Sequence, residues 1–154
     1  MSQVLSNIIA GQHQSAIDGS ILENRSSVTG EVLCTIPRSG PSDVDEAAQA
    51  AAAAAKGPWS NWSVTERADL LDAVADTIES RLEEIAGVES RDTGKPFRLA
   101  ATVDVPRAVS NFRFFASAVR QHHDGFHEMA GALNYTLRRP IGTVGLITPW
   151  NLPL

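Results

Sequence analysis

The sequence predicts an α/β protein. Three observations carry that reading: apolar residues recur at helical spacing from Leu70 to Ile85, short β-favouring runs precede them, and alternation takes over after Gly125. Two early runs, 4–10 and 31–36, read as edge-type strands around a polar loop that holds the turn signals Asp18-Gly19 and Thr29-Gly30. A helix opens at Pro41-Ser42-Asp43, where acidic residues meet the positive end of its dipole, and the alanine run propagates it to Lys56-Gly57-Pro58. The alanines read as a helix face packed closely on a neighbour.

A second helix starts at Ser63, because Ser63-Val64-Thr65-Glu66 has capping-box spacing. Leu70, Leu71, Val74, Ile78, Leu82 and Ile85 then form one apolar stripe; Gly87 is expected to weaken or bend this helix, and Gly94-Lys95-Pro96 ends it. A third helix runs from near Arg98, or restarts at Pro106, through Phe112, Phe115 and Val119. Pro106 is tolerated in a first turn and otherwise kinks the helix. Farther on, Leu133, Tyr135 and Leu137 alternate with Asn134, Thr136 and Arg138, and Val144 to Ile147 reads as an apolar strand.

Length and composition bound the function. The chain has 154 residues, 43% of them apolar, enough for an ordinary single-domain core. A net charge of −5 offers no basic face to nucleic acid or to an anionic membrane. Residues 1–10 lack a secretory pattern, and no apolar run approaches a membrane span. The single cysteine, Cys34, excludes an internal disulfide and fits a reducing cytoplasm. It sits in a predicted strand without a basic neighbour and reads as a structural thiol.

The most chemical segment is Pro149-Trp150-Asn151-Leu152-Pro153. Two prolines fix φ on either side of Asn151, so its amide can aim an N–H at one point without rearrangement, the requirement for an oxyanion donor. The short motif equally fits a tight surface turn with a filler asparagine. Arg107, beside Pro106 and near Phe112, Phe114 and Phe115, is either a solvated arginine or a bidentate clamp for a carboxylate. His123 and His127 have i, i+4 spacing, which a metal hydrolase would need, but Gly125 interrupts the helix and no convincing further ligand is placed. Glu83, Glu84 and Glu89 read as a solvated helix face. No glycine-rich phosphate cradle is present.

The longer run from Arg138 to Pro153 resembles the segment of the NAD(P)-dependent aldehyde dehydrogenase superfamily that carries its oxyanion asparagine. Thr29-Gly30-Glu31-Val32, Ser90-Arg91-Asp92-Thr93-Gly94-Lys95-Pro96 and Asn111-Phe112-Arg113-Phe114-Phe115-Ala116 are similar to successive landmarks of that family, in family order. Asp104-Val105-Pro106-Arg107, taken with Asn111 to Phe115, is most similar to the subgroup acting on 2-aminomuconic or 2-hydroxymuconic semialdehyde. Two stretches depart from the pattern. Arg25-Ser26-Ser27-Val28 stands where the family often has an Asn-Pro pair, and Thr148 replaces an aliphatic residue.

The resemblance implies that residues 1–154 are the N-terminal part of the Rossmann-like cofactor-binding domain: helices plus edge strands, with about 131–140 in the oligomerisation element and the catalytic domain absent. It implies oxidation of an aldehyde, favouring a carboxylated semialdehyde, to a carboxylic acid with NAD(P)+ through a thiohemiacetal and a thioester. Asn151 is then the catalytic oxyanion donor. Ile147, Thr148, Pro149 and Trp150 lie along the cofactor, Leu152 lines the substrate tunnel, and Arg107 grips the substrate carboxylate. The cofactor is NAD or NADP, with NAD favoured, and no metal is implied. The expected partners are a small aldehyde and further copies, as a cytoplasmic homodimer or homotetramer, with neither nucleic acid nor membrane. The family's nucleophilic cysteine, general-base glutamate, cofactor-contacting lysine and glycine turn are not in the sequence, so these residues alone are expected to be inactive. The alternative from another class is a non-catalytic helical interaction module.

Overall fold

A computed structural model describes residues 3–154; Met1 and Ser2, the first positions of the predicted domain, lie outside the described residues. The N-terminal strands are β1 (Gln3–Val4), β2 (Asn7–Ile9), β3 (Gln12–Gln14), β4 (Ile21–Arg25) and β5 (Val32–Pro37). β5 is the middle strand of a three-stranded sheet, parallel to β1 and antiparallel to β4, while β2 and β3 form a separate hairpin. The polar stretch predicted as a loop therefore holds two strands. Ala10 and Gly11, with φ of 51° and 76°, close the β2–β3 hairpin in the doubly left-handed geometry that matches strand twist. β4 is recruited by the open edge of β5, a non-local cause that no local pattern announces.

α1 (Pro41–Lys56) starts where predicted. Asp43 is buried and accepts the N–H of Gly40 at 2.7 Å and that of Ile17 at 2.9 Å, tying the first turn to the strand layer. The alanine face is not closely packed: Asp43 is the one buried residue of the helix, and a cleft stays open between Ala47, Ala50, Ala51 and Ala54 and the β2 residues Ile8 and Ile9. α2 (Val64–Ser80) opens on the predicted box, with the Glu66 N–H donating to Ser63 Oγ and the Ser63 N–H donating to Glu66 Oε2. The break comes at Arg81, not at Gly87, which stays helical inside α3 (Leu82–Thr93). The Thr77 and Ser80 hydroxyls turn back onto the Ala73 and Thr77 carbonyls, and Arg81 swings out to pair with Glu84.

Both readings of the third helix are met at once. α4 (Phe97–Leu99) passes through a π turn over Ala100–Asp104 into α5 (Val105–Arg120), with Pro106 in the first turn of α5. Proline lacks an N–H and its ring crowds the carbonyl four residues back, so the helix widens there instead of breaking. The Val105 N–H accordingly reaches the Ala100 carbonyl. α5 lies along α2, where Ala68, Ala75 and Ala116 are fully buried and let the backbones approach. Arg113 pairs with Asp76 and Glu79, and Arg120 with Asp69 and Asp72, across the same seam. Ala86, Ala100 and Val105 make a second cluster against Ile78, Leu82 and Ile85.

The chain ends in a hairpin of β6 (Phe126–Met129) and β7 (Ala132–Tyr135), followed by extended chain. The strand predicted over Val144 to Ile147 does not form, because a strand needs a partner for its backbone groups and none of the described residues supplies one. Ile141, Leu146, Ile147 and Trp150 are accordingly more than four-fifths exposed. The core is thinner than composition predicted, since large apolar residues are exposed along the whole chain, from Val4 and Ile8 through Phe114 and Phe115 to this run. No described helix is long and apolar enough to cross a membrane.

Candidate active site

The Pro149-Trp150-Asn151 turn is closed by the Leu152 N–H donating to the Pro149 carbonyl at 3.1 Å. A second bond fixes it from outside: Lys95 Nζ donates to the Asn151 backbone carbonyl at 3.0 Å. The Asn151 carboxamide makes no hydrogen bond among the described residues and is exposed, so both of its N–H groups are free for a ligand. Ile147, Thr148, Pro149 and Trp150 lead into the turn as exposed extended chain, and Leu152 is partly covered.

Lys95 is the residue that sequence reasoning missed. Its ammonium lies 2.7 Å from Glu89 Oε1 and 2.7 Å from Asp104 Oδ2. With the Asn151 carbonyl these carboxylates take all three of its donors. The Lys95 side chain is 13% exposed, Glu89 4% and Asp104 9%, so the group is a buried ion cluster and not a surface pair. Glu89, predicted as part of a solvated face, is thereby corrected: it closes α3 from inside. Burial works to lower the Lys95 pKa, but the hydrogen bonds and charges of Asp104 and Glu89 outweigh it and hold it above the usual lysine value. The part of the stability that comes from charging Lys95 is therefore present at neutral pH and is lost as pH rises through the raised lysine value.

Local chemistry sets this geometry. Gly94 ends α3 in the left-handed conformation at φ 77°, which brings Lys95 back under the helix. Ser90 Oγ then donates to the Lys95 carbonyl at 2.7 Å, and Thr93 Oγ1 donates to the Glu89 carbonyl at 2.7 Å. A Cβ at Gly94 would sit 2.3 Å from Ser27 Oγ and 3.0 Å from Val28 Cγ2. Ser27 can rotate away, but the backbone strain and the valine contact stay. Gly94→Ala is expected to lower stability by about 1–3 kcal/mol, read as a shift in the urea midpoint. An unshifted midpoint would show that the turn does not need glycine.

The other candidates lie apart. Arg107 is exposed on α5, without a hydrogen bond or ion pair among the described residues, and it shares no cavity wall with Asn151. Cys34 is buried in β5 with the Asn24 amide 3.7 Å from its sulfur. His122 and His123 sit in the loop after α5, and His127 lies in β6, so the i, i+4 pair shares no helix. Among the described residues no group of three ligating side chains could hold a metal ion.

Known proteins match this chain along most of its length. The sequence profile of the aldehyde dehydrogenase family matches residues 14–154. A 2-aminomuconic semialdehyde dehydrogenase from Bos taurus is 46% identical over 153 residues, covering 98% of this chain and 31% of that protein. A 2-hydroxymuconic semialdehyde dehydrogenase from Pseudomonas sp. (strain CF600) is 42% identical, covering 97% and 32%. Among solved structures, the NAD+ complex of an aldehyde dehydrogenase from Bacillus cereus superposes with a TM-score of 0.85 at 33% identity, over 90% of this chain and 29% of that one. The chain thus spans about a third of the length of the relatives it matches. It belongs to the aldehyde dehydrogenase family.

Proposed function

We propose that this chain supplies the oxyanion-donor segment of an NAD(P)-dependent aldehyde dehydrogenase that oxidises a carboxylated semialdehyde to the corresponding dicarboxylic acid. The observation that carries the proposal is the state of Asn151: its backbone is fastened at the carbonyl while its carboxamide is left unengaged. That is the preorganisation a donor needs if it is to meet charge as it develops on a substrate oxygen. The attacking thiolate and the general-base glutamate belong to parts of the family sequence that these residues do not cover; Cys34, the single cysteine, is buried in β5.

Ile147, Thr148, Pro149 and Trp150 are the residues that would hold the cofactor. They are extended and exposed, and the backbone groups of Ile147, Thr148 and Trp150 have no partner among the described residues, which suits close approach by a flat, polar ligand. When bound, NAD(P)+ supplies the acceptor for the hydride; NAD is favoured, in keeping with the NAD+ named in the Bacillus cereus complex. Leu152 would face the substrate, and Arg107 would take its carboxylate. The exposed Phe126, Met129, Leu133 and Tyr135 of the β6–β7 hairpin suit an oligomerisation element, with the parent a cytoplasmic homodimer or homotetramer. In the wider domain assignment, residues 1–154 belong to the cofactor-binding domain, with about 131–140 in that element.

The direct test is a spectrophotometric assay of reduced cofactor in a complete dehydrogenase carrying this segment. It is expected to show a kcat/KM at least about tenfold higher for a carboxylated semialdehyde than for a neutral aldehyde of equal length, the scale of one charged hydrogen-bonded pair. Equal values would reject the substrate class, and no aldehyde turnover at all would reject the reaction.

A further inference from the structure

We propose that Lys95 is the positioning residue of the Asn151 turn: its ammonium, held by Glu89 and Asp104, grips the Asn151 backbone carbonyl and thereby fixes where the carboxamide points. The proposal rests on the oxyanion-donor reading of Asn151 and adds the part that makes the donor stiff.

Geometry carries it. An ammonium has three hydrogens and no acceptor, and here three oxygens, one for each hydrogen, lie 2.7, 2.7 and 3.0 Å from Nζ. Two of those oxygens belong to buried side chains on the helical layer, one at the end of α3 and one in the π turn. The third belongs to a residue 56 positions later, on an exposed turn. Among the described residues this is the one hydrogen bond that ties residues 149–152 to the rest of the chain, since the Leu152–Pro149 bond is internal to the turn. Gripping the carbonyl and not the side chain has a chemical consequence. The peptide after Asn151 is fixed in orientation while both carboxamide hydrogens stay unused. Arginine could not serve in this way, because its planar fork cannot converge on three oxygens arranged around a point.

The experiment has two arms. In this chain, Lys95→Met is expected to speed hydrogen exchange at the Leu152 amide by about tenfold or more, with the amides of α2 unchanged. Because that variant also leaves Glu89 and Asp104 buried without a cation, the same measurement is made on Lys95→Met with Glu89→Gln and Asp104→Asn, which removes the charges and keeps the volumes. In a complete dehydrogenase carrying this segment, Lys95→Met and Lys95→Arg are expected to lower kcat by about 10- to 100-fold with KM within about twofold, the signature of a donor moved by an ångström. That loss should vanish in an Asn151→Ala background, since a residue acting through Asn151 has nothing left to position.

Unchanged Leu152 exchange in the charge-neutral triple variant would overturn the grip. Losses in kcat that multiply, instead of overlapping, with Asn151→Ala would overturn positioning through Asn151. If Asn151→Ala itself left kcat unchanged, the oxyanion reading would fall, and the exchange arm would still decide whether Lys95 holds the turn.

Discussion

Asn151→Ala in a complete dehydrogenase carrying this segment is expected to lower kcat by roughly 100-fold or more while leaving cofactor affinity within about twofold. The magnitude reflects the contact that is removed. A neutral amide N–H aimed at a developing oxyanion acts mainly in the transition state, so its loss falls on kcat and not on ground-state binding. The Asn151 backbone is held by the Lys95 ammonium and by the Leu152–Pro149 bond, and neither contact involves the side chain that the substitution deletes. The variant should therefore fold as the parent does, with an unchanged urea midpoint. A kcat that also stays unchanged would remove Asn151 from the chemistry. Asn151→Asp is a useful companion, because a carboxylate at the same place repels the oxyanion and should be at least as damaging.

Arg107→Ala is expected to reduce kcat/KM for a carboxylated semialdehyde by about 10- to 100-fold and to leave a neutral aldehyde within about twofold. One bidentate guanidinium–carboxylate contact is worth about 1.5–3 kcal/mol, which converts to that range. Arg107 is exposed on α5 and bonded to no described side chain, so the substitution removes no internal ion pair. That matters for interpretation. Arg113 and Arg120, on the same helix, hold acidic residues of α2, and their loss would mix folding with function. Equal losses on charged and neutral substrates would reject the clamp.

The legibility of the fold in the sequence divides along a physical line. Ser63-Val64-Thr65-Glu66 announces the start of α2, and Gly94 announces the end of α3, because caps are made by residues within one turn of each other. The stripe from Leu70 to Ile85 is legible for the same reason, though the break at Arg81 is not: hydroxyls at Thr77 and Ser80 compete with the helix without disturbing the apolar period. β3 and β4 escape a local reading because their pairing is settled by partners and by a left-handed Ala10, not by hydrophobic alternation. The candidate site shows the same division. Asn151 stands out through the prolines beside it, whereas Lys95 looks like punctuation after Gly94. Its acidic partners lie six residues before it and nine after it, and its third partner 56 residues on, spacings that belong to no single element.

The π turn at Ala100–Asp104 has a consequence for insertions and deletions. A regular helix advances about 100° per residue, so the extra residue accommodated there resets the phase between α4 and α5. Asp104 faces the interior and Arg107, three positions on, faces out; both orientations depend on that offset. A variant lacking Thr102 would regain an unbroken spiral, yet it would rotate Asp104 and α5 together by about 100° relative to α4 and to Lys95 before it. The irregularity is what lets one helix serve two directions.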